Sequence, residues 1–180
     1  MSIFFNRYLH QNLQNTNINY ITKFNCINAY NIVNIIKIVI NVNFRSINFD
    51  KSKILIFFLI LEFLIGRGAC ATTSRKPILA LGIRKGAVVG CKLTLRKNDL
   101  YYFIDTLILG LPRFDNFNGF LYKKNEKTNF SFILKELYNF HAIEFQYNLY
   151  VQALNITFVL NTYLKEQKIF KLTSSNLLIK

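Results

Sequence analysis

The sequence predicts an α+β fold: a single domain with a mostly antiparallel sheet that carries helices on one face and leaves the other face open. Segments rich in β-branched residues alternate irregularly with segments of helical spacing, as is typical of α+β domains. A length of 180 residues is enough for one well-buried core and short for two. We therefore expect an extension over 1–30, without a defined role, and one domain over 31–180.

The first half of the domain is predicted from β-branched runs, helix caps and glycines. Asp50 and Ser52 can cap a helix that Gly66 and Gly68 end. The predicted elements are a strand at 35–42, a helix from about Asp50 to Ile65, a strand that opens 69–82 and becomes a long basic loop, and a strand from Val88 to Arg96.

The second half is predicted from helical spacing and from alternation. Leucine, isoleucine and phenylalanine recur at helical spacing after Asp99, and Pro112 cannot continue that helix. The predicted elements are a helix at about 99–110, a loop at 112–130, strands at about 131–137 and 153–160, and a final helix from Tyr163 to Leu172. The Asn-rich residues before 30 are consistent with a mobile arm or with a short helix.

The most apolar segment, 54–65, predicts a buried helix and not a membrane span. It contains 12 residues, whereas a bilayer crossing needs roughly 20. Glu62 lies within it, and cations flank both ends. The start of the chain is too polar for a signal peptide and has few cations for a transit peptide. We therefore expect that the chain is not an integral membrane protein.

The charge distribution indicates a polyanionic partner. The chain has a net charge of +14, and no acidic residue lies between Glu62 and Asp99. The cations of this window are Arg67, Arg75, Lys76, Arg84, Lys85, Lys92, Arg96 and Lys97. Such a surface suits nucleic acid or anionic lipid.

Alternation along the 88–96 strand predicts where part of this charge lies. Lys92, Thr94 and Arg96 would stand on one side of the sheet, and Lys37 and Asn41 on the neighbouring strand would extend that side. Cations separated by a hydroxyl suit successive phosphate and 2′-hydroxyl contacts on folded RNA. The alternative is the solvated polar face of a one-sided sheet.

Nothing in the sequence indicates an enzyme or a cofactor. The nine acidic residues are scattered, and the two glycines Gly66 and Gly68 lack the third glycine of a dinucleotide-binding turn. The three cysteines have no CxxC spacing, and the two histidines have no partners at metal-ligand spacing. We predict free thiols, no cofactor, no metal site and no catalytic residue.

Several motifs in one order resemble the large-subunit ribosomal protein L-five family. The resemblance is strong over about 35–120 and weak over 121–180. Its motifs are Arg75-Lys76, Ile83-Arg84-Lys85-Gly86, Gly90-Cys91-Lys92-Leu93-Thr94-Leu95-Arg96, Leu111-Pro112-Arg113 with Phe117 and Gly119, the strand Lys37-Ile38-Val39-Ile40-Asn41, and Leu154-Asn155-Ile156-Thr157.

The resemblance implies a structural role in the central protuberance of the large ribosomal subunit, among other large-subunit proteins. A concave sheet face would bind rRNA, either 5S rRNA or its replacement, through Lys37, Asn41, Lys92, Thr94 and Arg96. A loop carrying Arg75, Lys76, Arg84, Lys85 and Gly86 would contact P-site tRNA. Arg113, Phe117 and Gly119 would bridge to a protein of the small-subunit head.

Two further expectations follow from the resemblance together with the composition. The A/T-rich codon families of the favoured residues indicate an organellar ribosome, so we expect a mitochondrial location, in preference to a plastid. Because no presequence is evident, we also expect the chain to be encoded in the organelle. The 54–65 helix is apolar all round, where a surface helix should keep a polar face. Either codon bias accounts for this composition, or another ribosomal protein covers the outer face of the helix. The alternatives are a free basic RNA-binding protein and a membrane-associated basic protein.

Overall fold

The computed structural model describes residues 16–25, 28–43, 51–79, 82–110, 129–134, 153–162, 164–174 and 177. Within these ranges the chain forms five strands and four helices. The strands are β1 (Ile35–Asn43), β2 (Cys70–Thr73), β3 (Val88–Leu95), β4 (Asn129–Leu134) and β5 (Leu154–Leu160). The helices are α1 (16–24), α2 (Lys51–Ile65), α3 (Asn98–Gly110) and α4 (Lys165–Ser174), and a 3-10 turn spans Ala29–Asn31.

The predicted α+β class and antiparallel sheet are confirmed. The strands form one sheet in the order β2-β3-β1-β5-β4. The predicted strands at 35–42, 88–96 and 153–160 and the helix at 99–110 are all present, and the segment 69–82 begins as β2. Pro112 and most of the predicted 112–130 loop lie outside the described residues.

Two predicted boundaries are displaced for local reasons. β4 begins at Asn129 and not at 131, because the alternation of buried Phe130, Phe132 and Leu134 already starts there. The final helix begins at Lys165 and not at Tyr163. Thr162 Oγ1 accepts a hydrogen bond from the Leu164 N–H over 3.3 Å, which forms a turn ahead of the helix.

The chain divides into two compact units. The first comprises Met1–Ile36, Asn118–Phe130 and Phe158–Lys180, and the second comprises Lys37–Phe117 and Ser131–Thr157. In the second unit, α2 contacts both β3 and α3. Among the side chains that the structure describes, the buried apolar ones of these elements are Ile60, Leu61, Ile65, Cys91, Leu93, Leu95, Leu100, Phe103, Ile104 and Leu107.

The first unit is held by an aromatic cluster of α1 and α4. The Tyr20 and Phe24 rings lie 4.8 Å apart, and the Phe170 ring meets Phe24 edge-on at 5.6 Å. Lys171 Nζ is buried and donates a hydrogen bond to Asn17 Oδ1 over 2.7 Å. Burial lowers the pKa of Lys171. Residues 16–24 are thus a short helix, the second of the two alternatives for the Asn-rich start.

The prediction that 54–65 is a buried helix is correct for one face only. Ile60, Leu61 and Ile65 are buried, whereas Leu55 and Phe63 are 64% and 71% exposed. Leu59 lies between them at helical spacing and is also exposed, so an apolar stripe faces outward. A helix that is apolar all round must be covered on every side to remove its apolar surface from water. The described elements that pack on α2 cover one side of it and leave the stripe exposed. In the part of the chain that the structure describes, no helix is both long and apolar enough to span a bilayer.

Candidate nucleic-acid interface

The register of β1 against β3 determines which side chains share the outer face of the sheet. In this antiparallel pair Asn41 lies opposite Lys92, and Val39 lies opposite Thr94. Directly opposed residues project to the same face, with Cβ atoms about 5 Å apart. Lys92 and Thr94 are exposed, and the residues that alternate with them are buried. Asn41, Lys92 and Thr94 therefore form a contiguous polar surface.

Two further predicted residues continue this surface at one end. Arg96 follows β3 directly and is exposed. Lys37 precedes Ile38, which pairs with Leu95, so the alternation places Lys37 on the same face as Val39 and Asn41. All five residues predicted to bind rRNA thus lie on one side of the sheet, and we call this set the outer face.

The strand β2 widens the outer face in a way that the sequence did not reveal. Cys70 lies opposite Lys92, and Thr72 lies opposite Gly90. A Cβ atom at Gly90 would collide with the Val42 carbonyl oxygen and lie 3.0 Å from Thr72 Oγ1. Gly90 therefore allows three strands to approach closely at this point. The alternation within the four residues of β2 is too short to have indicated this register.

The basic loop between β2 and β3 is folded back on itself. The Ser74 N–H donates to the Ala87 carbonyl, and the Gly86 N–H donates to the Ser74 carbonyl, both over 2.9 Å. Further out, Ile78 and Ile83 pair as an isolated antiparallel bridge. We call residues 74–87 the basic arm, and its exposed cations are Arg75, Lys76, Arg84 and Lys85.

The geometry of the basic arm explains why a glycine stands at position 86. Gly86 has φ +84°, a backbone conformation that side chains with a Cβ rarely adopt. This turn allows its N–H to reach Ser74 and so closes the base of the arm. Cations from both ends of the loop sequence consequently lie on one short structure.

One cation of the acid-free window has a counter-charge after all. Arg67 Nε lies 2.9 Å from Asp99 Oδ2, so the guanidinium at the end of α2 pairs with the first turn of α3. The absence of acidic residues inside the window therefore does not leave Arg67 without a counter-charge, because Asp99 at the end of the window pairs with it. The other seven form no ion pair with the residues that the structure describes.

The remaining sequence predictions concern the contact with the small-subunit head, the cysteines and metal binding. Arg113, Phe117 and Gly119 lie outside the described residues. The sequence predicts free thiols for all three cysteines; Cys70 and Cys91 are free, and Cys26 lies outside the described residues. Burial raises the pKa of Cys91 to about 11, which favours the protonated thiol at neutral pH. Among the described residues, no three His, Cys, Asp or Glu side chains converge as a metal site would need.

Fold and charge together define a class: a basic α+β protein with a one-sided antiparallel sheet and an exposed polar outer face. Residues 88–178 match the family model for the C-terminus of the ribosomal protein L-five family. The chain is 34% identical over 150 residues to the large ribosomal subunit protein uL5m of Reclinomonas americana, covering 82% of each chain. It is also 34% identical over 139 residues to uL5 of Wolbachia pipientis subsp. Culex pipiens, covering 76% of this chain and 78% of the relative.

The chain belongs to the uL5 family of large ribosomal subunit proteins, the L-five family that its motifs resemble. The relatives include a mitochondrial protein and bacterial ones at equal identity. The family model matches from β3 to beyond α4, and the relatives match most of the chain.

Proposed function

We propose that this protein is a structural constituent of the large ribosomal subunit and binds rRNA through its outer face. The observation that carries the proposal is the register of β1 and β3, which assembles Asn41, Lys92 and Thr94 with Arg96 and Lys37 on one surface. No acidic residue contributes to this surface or to the basic arm. Phosphates can therefore approach both without repulsion.

The cations and the uncharged polar groups of the outer face have different parts in this binding. Lys92 and Arg96 neutralise phosphates, and each phosphate contact releases a counterion. The Thr94 hydroxyl and the Asn41 amide both donate and accept hydrogen bonds, as recognition of a ribose 2′-hydroxyl requires. The face thus positions RNA by its backbone and reads no base sequence. Either 5S rRNA or an equivalent segment fits this mode of binding.

The basic arm is proposed to contact P-site tRNA. It extends from the sheet with cations on both of its sides, and its base is closed by Ser74 and Gly86. A pre-shaped arm loses little conformational entropy when it meets a phosphate backbone. We assign Arg113, Phe117 and Gly119 to a contact with the small-subunit head on the family resemblance alone.

A protein partner is proposed for the apolar stripe of α2. Leu55, Leu59 and Phe63 are exposed at a spacing of four residues, and such a stripe is typical of a protein contact. In the central protuberance the partner would be another large-subunit protein. The relative from Reclinomonas americana is a mitochondrial protein, and with the A/T-biased composition it supports a mitochondrial ribosome.

Sucrose-gradient fractionation of a lysate tests this function. We expect the protein to sediment with the large subunit and to leave it only at high salt, since its contacts are electrostatic. Sedimentation as a free small species would reject a ribosomal role and favour the free RNA-binding alternative. Retention of the protein in a ribosome-free membrane pellet after carbonate extraction would favour the membrane-associated alternative.

A further inference from the structure

The first unit contains a cleft that the outer face and the basic arm do not use. Its volume is about 550 Å³, which is in the range of small-molecule sites. Phe24 and Val33 supply apolar lining, and Val33 is buried. None of the described residues that line the cleft is charged; most of the remaining described lining is asparagine, glutamine, threonine and tyrosine. This lining suits a neutral ligand that donates and accepts hydrogen bonds.

Tyr30 is the least covered large side chain of the cleft. It is 96% exposed and lies in the 3-10 turn Ala29–Asn31, where the Asn31 N–H donates to the Asn28 carbonyl over 3.0 Å. A ring with so little burial contributes almost nothing to folding stability. Because the ring is so exposed, its faces are accessible for stacking on a planar ligand.

The amides of the cleft divide into two sets by their hydrogen bonds. Asn161 is engaged at both ends of its amide: its Nδ2 donates to the Ile32 carbonyl over 3.1 Å, and its Oδ1 accepts from the Asn34 N–H over 2.9 Å. Gln167 Oε1 accepts from the Thr162 hydroxyl over 3.0 Å. These hydrogen bonds fix the shape of the cleft. Recognition of a ligand therefore depends on other groups.

The second set consists of Asn25, Asn28 and Asn31, whose side-chain amides make no hydrogen bond with the residues that the structure describes. Asn25 has φ +47°, a left-handed conformation that asparagine tolerates better than most residues. Each amide offers two donors and an acceptor beside an exposed aromatic ring.

We propose that this cleft binds an unpaired adenine of the RNA held by the protein, with Tyr30 stacked on the base and the asparagine amides on its edge. Proteins recognise single-stranded RNA by stacking bases on aromatic side chains and by hydrogen bonds to exposed base edges. An asparagine amide pairs with the N6 and N7 atoms of adenine. The inference rests on the proposed rRNA binding for the class of ligand, and it adds base recognition to a protein whose outer face contacts the backbone.

The test is fluorescence anisotropy of the full chain with labelled single-stranded octamers of adenylate and of uridylate. We expect tighter binding of the adenylate octamer. Tyr30→Ala should weaken that binding about tenfold by removing one stacked base, whereas Tyr30→Phe keeps the ring and should retain it. Tyr102→Ala is the matched control, since Tyr102 is an exposed tyrosine of α3 outside the cleft.

Salt titration separates failure of this inference from failure of the proposed function. Tyr30→Ala removes no cation, so the slope of log Kd against log salt should stay unchanged, whereas Arg96→Ala should flatten it. Loss of affinity in Arg96→Ala with no difference between Tyr30→Ala and Tyr102→Ala would overturn the cleft and leave the outer face intact. Absence of binding to either octamer and to rRNA would overturn both.

Discussion

Asn41 of β1 lies directly opposite Lys92 of β3, and this one pairing determines the chemistry of both faces of the sheet. With it, Thr94 joins the outer face and Leu93 and Leu95 turn to the core. A slip of one residue would bury Lys92 and expose the two leucines, because side chains alternate with a period of two. The same strand register therefore buries the apolar side chains and exposes the cations.

Arg96→Ala should weaken rRNA binding and lower the salt slope by about one unit, the share of a single phosphate contact. Arg67→Ala is the matched control, because the Arg67 guanidinium is paired with Asp99 and Arg67 is not one of the five outer-face residues. Filter binding of an rRNA fragment at several salt concentrations measures both quantities. Equal slopes for the two variants would show that Arg96 meets no phosphate.

Leu95→Ala should lower the free energy of unfolding by about 2–5 kcal/mol, because Leu95 is 1% exposed and its loss leaves a cavity. Its neighbour Thr94 projects to the outer face, so Thr94→Ala should change stability by less than about 0.5 kcal/mol. Urea denaturation of both variants measures the difference. Similar destabilisation by both would contradict the assignment of faces.

Gly90→Ala should destabilise the sheet by roughly 1–3 kcal/mol, since the added Cβ would collide with the Val42 carbonyl, which belongs to the backbone and cannot turn aside. At Gly68 the nearest atom to an added Cβ is Glu62 Oε1 at 3.4 Å, the end of a flexible side chain. Gly68→Ala should accordingly be close to neutral. Thermal melts of the two alanine variants compare these effects, and equal melting temperatures would argue against close packing at Gly90.

Asp105 should make stability depend on pH between about 4 and 6. Its Oδ2 atom is buried without a hydrogen-bond partner among the described residues, and burial raises the pKa of Asp105 to about 6. A carboxyl whose pKa is higher in the folded state contributes stability at low pH and loses it as pH rises through that pKa. Partial exposure limits the effect to about 1–2 kcal/mol.

The variant Asp105→Asn removes this titration. The unfolding free energy of the variant, relative to that of the unmodified chain, should therefore increase as the pH rises from about 4 to about 7. Parallel pH profiles for the two proteins, measured by urea denaturation, would mean that Asp105 ionises in the folded state as readily as in the unfolded one.

The sequence predicted those parts of the fold that depend on periodicity. The alternation of Lys92, Thr94 and Arg96 with apolar residues identified β3 and its two faces, and β-branched residues identified β1. Glycine at 66, where φ is +72°, marked the end of α2. These signals depend only on residues that are neighbours in the sequence, and the segments adopt in the folded chain the conformation that the signals predict.

Features that depend on tertiary pairing could not be predicted. The ion pair of Arg67 with Asp99 joins residues 32 positions apart, and nothing in the charge pattern distinguished Arg67 from its neighbours. The exposed stripe through Leu59 has the composition of a core helix, so only the packing of α2 shows which face stays open. The cleft beside Tyr30 is assembled from two distant segments, and the Asn-rich composition of the first concealed it.

A cryo-EM map of the large subunit purified from the source organism tests the central claim most directly. We predict rRNA backbone within hydrogen-bonding distance of Lys92, Thr94 and Arg96, with phosphates at the two cations. A map in which the outer face is open to solvent, or is covered by protein with rRNA elsewhere on the chain, would contradict the account.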